Sequence, residues 1–320
     1  FKEPLDYLPP LYSGNLKKEL ETKLKNYNSA IFIWPYLIDV PNVNINKIII
    51  LHDFLFKYYF GGAGPYNISE TKKLNYLVEK WIKNSNVVIT SEFMRDEIKK
   101  FYPNINSKKL HLIRMGPFIN FKKKIKNKNV LRRFGIKSKY ILCPTVDKPH
   151  KNIYNLIRAF SLVKKKFKNI KLVFCGAGTK IINGISLSNN ILLNDTIKDV
   201  IGLGYVTNEE VDYLISKAEL TINQSLYEPG NGSGLDSWFI GTPVAMSNIP
   251  SFKEHIDYLG VKAEVFDPHN PLSIYKKISK ILNMKTKEKK RIVNISKQGV
   301  KKVNWRNLTN KYYNLLKNLK

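Results

Sequence analysis

The chain has 320 residues, 43% of them hydrophobic and 25% charged, a globular composition that excludes wholesale disorder, collagen and coiled coil and predicts about two domains. Lys and Arg number 54 against 25 Asp and Glu, for a formal net charge of +29, which suits nucleic acid, an anionic membrane surface or a merely lysine-rich, solvated surface. The two cysteines, Cys143 and Cys175, exclude a disulfide framework and a multi-cysteine zinc site. They indicate a reducing compartment, so we expect a cytoplasmic protein.

Three basic runs are scattered along the chain, at 122–124, 164–166 and 285–291. None of them resembles a helix-turn-helix, zinc-finger or ribonucleoprotein motif, so we expect no nucleic-acid partner. No apolar run reaches about 18 residues and no signal peptide is apparent, so we expect no membrane-spanning helix. A peripheral contact with an anionic membrane face stays open as an alternative.

In the first part of the chain, apolar runs typical of buried strands alternate with amphipathic helical stretches. We predict strands at 30–34, 47–51, 87–90 and 110–113, with helices at 72–83 and 92–101. These elements form a first domain over residues 1–118, which is small for a complete doubly wound unit. Because the chain begins at Phe1 rather than Met, a missing N-terminal strand stays open as the reason.

A lysine-rich, weakly periodic stretch follows, and we interpret residues 119–135 as a linker. Beyond it we predict strands at 140–143, 171–175, 220–223 and 243–246, and helices at 153–167, 208–217, 234–240 and 271–282. Continuous apolar strands separated by helices favour parallel sheets covered on both faces. We therefore predict an α/β protein with two doubly wound domains, the second over residues 136–303 and followed by a C-terminal helix in 304–320.

The strongest functional signal is the segment 225–236, which follows an apolar strand and leads into a helical stretch. Its glycines alternate with small polar residues, an arrangement that exposes backbone N–H groups and admits an anion at a helix start. Glu228 and Asp236 bracket the loop with seven residues between them, and carboxylates accept hydrogen bonds from sugar hydroxyls. A nucleotide sugar fits both features, and the alternative is a glycine-rich turn with two solvated acids.

Three weaker signals accompany this segment. Lys151 lies in a strand-to-helix turn, where an ammonium suits a diphosphate, although lysine is abundant throughout the chain. Gly176-Ala177-Gly178 follows a strand and is equally typical of an ordinary crossover turn. His52 lies at the carboxyl end of a predicted strand, where open α/β sheets bind ligands, and the alternative is a structural histidine.

Taken in order, these segments resemble family 4 glycosyltransferases, also described as glycosyl transferases group 1. The resemblance covers most of residues 45–268 and rests on an ordered set of motifs. The motifs are the strand and Lys-Asn turn at 140–152, the Gly-x-Val turn and next helix at 204–211, the two acids at 228 and 236, and the stretches Gly241-Thr242-Pro243-Val244 and Ser247-Asn248-Ile249-Pro250.

The resemblance implies a GT-B fold, in which two Rossmann-like domains face each other across a cleft, with the nucleotide sugar on the second domain and the acceptor on the first. It also implies that the last helix, at 305–319, packs back on the first domain. The implied catalytic residues are His52 near the reacting sugar, Lys151 on the diphosphate and Glu228 on the donor sugar. The implied donor-binding residues are Gly176, Gly178, Val206 on the base, Gly230, Asn231, Gly232, Ser233, Gly234, Leu235, and Asp236 on the ribose.

The function implied by this family is transfer of a hexose, with retention at the anomeric carbon, from GDP-mannose or UDP-hexose to a glycan or lipid-linked acceptor. We expect no cofactor or metal, because an Asp-x-Asp motif is absent from the chain and Lys151 with the backbone amides of 230–234 can stabilise the departing diphosphate. Two alternatives stay open: an inactive basic protein of this fold that binds membrane or nucleic acid, and a nucleotide-sugar epimerase. The chain departs from the family pattern at Asp236 in place of Glu, Thr145 in place of Gly, Val146 in place of Arg, and Pro229-Gly230-Asn231 in place of Gly-Phe-Gly, and the glycine-rich loop of the family's first strand is not present in this sequence.

Overall fold

The computed structural model describes residues 14–33, 35–36, 38–59, 68–119, 129–184 and 196–319. Contacts divide the chain into two units. The smaller unit holds the described residues up to Met115 and those from Trp305 onward, and the larger unit runs from Gly116 to Asn304. The predicted linker falls mainly on residues 120–128, outside the described part of the chain.

The smaller unit is built on a four-stranded parallel sheet. Its strands are β1 (Ser29–Ile33), β2 (Asn46–Ile50), β3 (Asn86–Ile89) and β4 (Leu110–Leu112), in the spatial order β1-β2-β3-β4. Trp34, predicted to end the first strand, lies outside the described residues. The helices of this unit are Gly14–Leu24, Leu55–Tyr58, Ile68–Lys83, Glu92–Phe101 and Trp305–Asn318, with a 3-10 turn at Ser107–Lys109.

The C-terminal helix packs on this sheet. Leu308 is 2% exposed and lies in one buried cluster with Ile48 of β2, Val88 of β3 and Ile113. Asn46, at the start of β2, donates its side-chain amide to the carbonyl of Leu319. The helix therefore covers one face of the small sheet, although it follows the larger unit in sequence.

The larger unit is built on a six-stranded sheet in which every pairing is parallel. Its strands are β5 (Lys139–Pro144), β6 (Ile170–Cys175), β7 (Val200–Gly202), β8 (Leu220–Asn223), β9 (Val244–Ser247) and β10 (Glu264–Phe266). The spatial order is β10-β9-β8-β5-β6-β7, which is the doubly wound order. The chain leaves β5 toward one edge through β6 and β7, then returns to the other side of β5 with β8.

Helices connect the strands of the larger unit. They are Val130–Arg133, Ile153–Lys166, Asn208–Lys217, Gly232–Ile240, Pro250–Leu259, Pro271–Leu282 and Thr286–Val300, with 3-10 turns at Pro149–Lys151, Thr179–Gly184 and Lys301–Val303. Successive side chains of β5 point to opposite faces of the sheet. Ile141 lies in a cluster with Phe160, whereas Leu142 lies in a separate cluster with Leu214. Both faces are thus buried, which explains why the strand is continuously apolar in sequence.

The packing of the C-terminal helix leads to a prediction about stability. Leu308→Ala should destabilise the smaller unit by about 2–5 kcal/mol, because it removes a buried side chain and leaves a cavity. Tyr313→Ala, on the same helix but 63% exposed, is the matched control and should cost less than about 0.5 kcal/mol. Hydrogen exchange in peptides containing 46–50 and 86–89 should speed up only in the Leu308 variant. Equal exchange in the two variants would contradict the packing of this helix on β2 and β3.

Candidate active site

A lysine and a glutamate meet where the doubly wound sheet changes direction. β5 and β8 are neighbours in the sheet but are not consecutive in the chain, and crevices at the carboxyl ends of such strands are where open α/β sheets bind ligands. Lys151 follows β5 and Glu228 follows β8, and the Lys151 ammonium donates to Glu228 Oε1 in an ion pair. Their side chains are only 17% and 15% exposed. The resemblance assigned these residues to different parts of the donor, and the structure places them in direct contact.

Hydrogen bonds to the main chain hold the Lys151 turn in place. Asn152 adopts the left-handed backbone conformation, with φ of 55°, and its side-chain amide donates to the carbonyls of Gln224 (3.1 Å) and Pro268 (2.7 Å). The Gln224 side chain in turn donates to the carbonyl of Lys151 at 2.5 Å. The segments that follow β5, β8 and β10 are therefore tied together around the lysine. Sequence reasoning assigned no role to Asn152 or Gln224, although Asn is the non-glycine residue best suited to this conformation.

The positive charge of this turn comes from lysine rather than histidine. His150 precedes Lys151 and is 7% exposed, and its carbonyl accepts the amide of Leu226 at 2.8 Å. Burial lowers the pKa of His150 to about 3, and the neighbouring charges of Lys151 and Lys148 add to this shift. The imidazole is therefore neutral at physiological pH.

On the other side of the ion pair, Glu228 is also anchored. Ser225 donates its hydroxyl to Glu228 Oε1 at 2.6 Å, the same oxygen that binds Lys151. Ser251, at the start of the helix Pro250–Leu259, donates to the Glu228 carbonyl at 2.5 Å. Side chain and main chain are thus both fixed, so the carboxylate is held ready for a ligand at low entropic cost.

The glycine-rich segment differs from the predicted loop. The predicted helix began at Gly234, but the observed helix begins at Gly232 and is capped by Asn231. Asn231 is fully buried, and its Oδ1 accepts the amide of Gly234 at 3.1 Å. The first intrahelical bond runs from the Leu235 amide to the Asn231 carbonyl at 3.0 Å. Gly232 and Ser233 are therefore first-turn residues, whose amides carry the partial positive charge of a helix start.

The position predicted for Asp236 was wrong. The predicted helix start at Gly234 would put it in the first turn, but it is the fifth residue of the helix that begins at Gly232, and no acid occupies the first turn. Asp236 is 8% exposed, and its Oδ1 accepts the amide of Phe118 at 2.7 Å. Burial raises the pKa of Asp236 to about 7 despite this hydrogen bond, and the nearby Asp212 carboxylate adds to the rise.

Gly176, Gly178 and Val206, which the sequence predicts to bind the donor, lie on adjoining turns after β6 and β7. The amide of Gly176 donates to the carbonyl of Gly204 at 2.8 Å, and the amide of Thr145 donates to the carbonyl of Cys175 at 2.8 Å. Gly176 has φ of 126°, and a Cβ there would overlap the Thr145 carbonyl oxygen, so only glycine fits. Val206 is buried close to this junction, two residues after Gly204.

His52 belongs to the smaller unit, where it follows β2. Burial lowers the pKa of His52, although a backbone hydrogen bond involving Ile50 opposes the shift, so the imidazole is neutral near pH 7. Within the described ranges, no group of three or more His, Cys, Asp or Glu side chains is arranged to hold a metal ion.

Comparison with known proteins assigns this chain to a family of transferases. The sequence profile of the family described as Glycosyl transferases group 1 matches residues 124–299, more than half of the chain. The chain belongs to this family. It is 25% identical over 210 residues to the O-antigen chain mannosyltransferase RfbU of Salmonella typhimurium. The aligned stretch covers 65% of this chain and 54% of that protein.

A second curated relative is an uncharacterized glycosyltransferase of Methanocaldococcus jannaschii, 25% identical over 234 residues, or 69% of this chain and 54% of that protein. The chain spans about half the length of the curated relatives it matches. Two solved structures resemble most of it. Sucrose-phosphate synthase from Thermosynechococcus elongatus has a TM-score of 0.74 at 14% identity, covering 95% of this chain and 77% of that one.

The second structure is HepE of Anabaena in complex with UDP and glucose, with a TM-score of 0.68 at 14% identity, covering 97% of this chain and 84% of that one. At these identities the likeness concerns the fold. It confirms the predicted α/β class, a GT-B-like fold of parallel sheets covered by helices.

The environment of Asp236 leads to a prediction about pH. A carboxyl whose pKa rises from 3.8 to about 7 on folding keeps its proton in the folded state while the unfolded state loses it. Stability therefore falls as pH rises from about 4 to 7, by up to roughly 4 kcal/mol for this group. Asp236→Asn keeps the acceptor for Phe118 without the charge, so it should gain stability over the natural protein progressively across this range. Urea unfolding at pH 4 and pH 8 measures the difference, and a gain that does not change with pH would contradict the assignment.

Proposed function

We propose that this chain transfers a hexose from a nucleotide-diphosphate sugar to a glycan or lipid-linked acceptor, as a retaining member of glycosyltransferase family 4. The observation that carries the proposal is the ion pair of Lys151 and Glu228 at the carboxyl ends of β5 and β8. A cation for a diphosphate and a carboxylate for sugar hydroxyls then lie side by side, which is what a donor with both groups requires.

On donor binding, the diphosphate would replace Glu228 as the partner of the Lys151 ammonium. Before the donor arrives, the ammonium of Lys151 neutralises Glu228 in a site that is largely shielded from water. A diphosphate competes for that ammonium with more negative charge, and the Glu228 carboxylate, still held by Ser225, becomes available to the hydroxyls of the transferred sugar. Partial burial strengthens both interactions relative to water.

The chemical step needs negative charge stabilised on the departing diphosphate, while positive charge develops at the anomeric carbon. Lys151 and the first-turn amides of Gly232 and Ser233 would stabilise the negative charge on the diphosphate, as preorganised hydrogen-bond donors. We propose that these groups make a divalent metal unnecessary. Glu228 would hold the sugar in position, so that catalysis is mainly positioning and electrostatic stabilisation.

The remaining roles follow the family resemblance. Asp236 would bind the ribose and Val206 the base through its main chain, and the turns at Gly176 and Gly178 would line the donor. His52 of the smaller unit, as a neutral imidazole, suits a hydrogen bond to a hydroxyl of the reacting sugar.

The comparisons favour two candidate donors. The similarity to a mannosyltransferase that acts on O-antigen chains favours GDP-mannose, and the fold likeness to a protein crystallised with UDP and glucose favours UDP-hexose. Shifts in melting temperature across GDP-, UDP- and ADP-sugars would distinguish these. An epimerase would convert the nucleotide sugar without releasing nucleoside diphosphate, and an inactive basic protein would bind no donor.

A basic surface on the larger unit favours an acceptor presented at an anionic membrane. Residues 271–302 contain eleven Lys or Arg and one Glu. On the helix Thr286–Val300, the exposed basic side chains are Lys287, Lys290, Arg291 and Lys297. Because these side chains are charged, the proposed contact is electrostatic and peripheral. Among the described residues, no helix is both long and apolar enough to cross a bilayer.

The basic surface leads to a prediction about membrane binding. Replacing Lys287, Lys290 and Arg291 with Glu should reduce co-sedimentation with vesicles that contain phosphatidylserine, because each basic residue near such a surface contributes about 1 kcal/mol. Glutamate at Lys72, Lys73 and Lys108 of the smaller unit is the control with the same change in charge. Binding of the natural protein to these vesicles should weaken as the salt concentration rises. Equal recovery of the natural protein on neutral and anionic vesicles would contradict the proposal.

The ion pair leads to a prediction about the donor. Lys151→Ala should weaken binding of UDP or GDP by about 10- to 150-fold, the value of a charge-assisted contact to phosphate. Lys148→Ala, in the same turn but without a carboxylate partner in the described structure, is the matched control and should change affinity less than about threefold. Calorimetric titration in EDTA and in Mn²⁺ should give the same ranking. A folded Lys151 variant that keeps its affinity would remove this residue from the donor site.

A further inference from the structure

The segment Pro117–Ile119 lies along the helix Gly232–Ile240. The amide of Phe118 donates to Asp236 Oδ1 at 2.7 Å, and the amide of Ile119 makes a second hydrogen bond to the same carboxylate. Pro117 and Ile119 are buried on either side, whereas the Phe118 side chain is 59% exposed. The segment is thus anchored at three consecutive residues and presents one large aromatic ring to solvent.

The ring of Phe118 lies against the first residue of the helix. A Cβ built on Gly232 would be 2.8 Å from Phe118 Cε2, closer than carbon atoms approach. The backbone of Gly232 does not require glycine, since its φ is not positive. A larger residue at this position would therefore have to displace the ring. Gly232 and Asp236 are four residues apart and share one face of the helix, so Phe118 covers this face from its first turn to the buried carboxylate.

We propose that Phe118 is a donor-binding residue whose ring packs on the apolar C–H face of the nucleotide's ribose, and that the hydrogen bonds to Asp236 hold the backbone of its segment in place. This inference rests on the proposed function. A ligand that extends from the first-turn amides toward Asp236 must pass beside the ring, and ribose is the part of the donor that the resemblance assigns to Asp236. Covering an exposed aromatic ring is favourable, and because two main-chain hydrogen bonds already hold the segment, little entropy is lost.

Affinity for nucleotide and for pyrophosphate should separate this role from that of Lys151. Phe118→Ala should weaken binding of UDP or GDP about tenfold and leave pyrophosphate affinity unchanged, because pyrophosphate lacks the ribose. Lys151→Ala should weaken binding of UDP, GDP and pyrophosphate alike. Phe118→Tyr keeps the ring face and should restore the affinity, and Tyr258→Ala, which removes an aromatic ring 38% exposed on another helix, should have no effect. Melting temperatures of all variants establish that they fold.

A double-mutant cycle tests the contact itself. Gly232→Ala alone should displace the ring, lowering both the melting temperature and nucleotide affinity, the latter to the level of Phe118→Ala. In the Phe118→Ala background the same substitution meets no ring, so it should lower the melting temperature no further. Thermal unfolding of the four proteins measures this coupling, and additive effects on the melting temperature would overturn the contact.

The outcomes distinguish the two proposals. Unchanged UDP and GDP affinity in Phe118→Ala, together with a loss in Lys151→Ala, would overturn the role of Phe118 and leave the proposed function in place. Equal losses for nucleotide and pyrophosphate in Phe118→Ala would also overturn the ribose contact. A natural protein that binds neither nucleotides nor pyrophosphate would overturn both.

Discussion

The ion pair between Lys151 and Glu228 exists because β5 and β8 are neighbours in the sheet, although 75 residues of chain lie between the end of β5 and the start of β8. Parallel strands bring their carboxyl ends to one edge, so the turns that follow must share space there. A lysine in one turn and a glutamate in the other neutralise each other at low solvent exposure. The hydrogen bonds of Asn152 and Gln224 hold the lysine turn at this junction, and the helix capped by Asn231 begins four residues after Glu228.

Much of the fold could be predicted from the sequence, because buried parallel strands are continuously apolar. All eight predicted strands are present within two residues of their predicted ends, apart from Trp34, which is not described. The strands β7 and β10 were not predicted, because Gly202 interrupts the apolar run at β7 and the run at β10 is only two residues long. The helix Thr286–Val300 was not predicted, and part of it was noted only as a basic run. Its exposed face carries the lysines, whereas its buried residues include Ser296 and Gly299, which add no apolar pattern to the sequence.

The site was predictable in its parts but not in its contacts. Glycine spacing and the two acids marked the segment 225–236, yet only tertiary packing places Glu228 against Lys151. The start of the helix was predicted two residues late because glycine is a poor helix former, and the Asn231 cap, itself a recognised start signal, was overlooked. Burial of Asp236 and its contact with Phe118 depend on a segment more than 100 residues earlier, which no local pattern reports.

Protection from hydrogen exchange on donor binding tests the account most directly. With UDP- or GDP-sugar, peptides covering 145–152 and 225–236 should exchange more slowly, since their amides and side chains would contact the diphosphate and sugar. Peptides covering 92–101, a helix of the smaller unit, which holds neither Lys151 nor Glu228, should be unaffected and serve as the internal reference. Protection confined to other parts of the larger unit, with none at 145–152 or 225–236, would contradict a donor site at the Lys151–Glu228 pair.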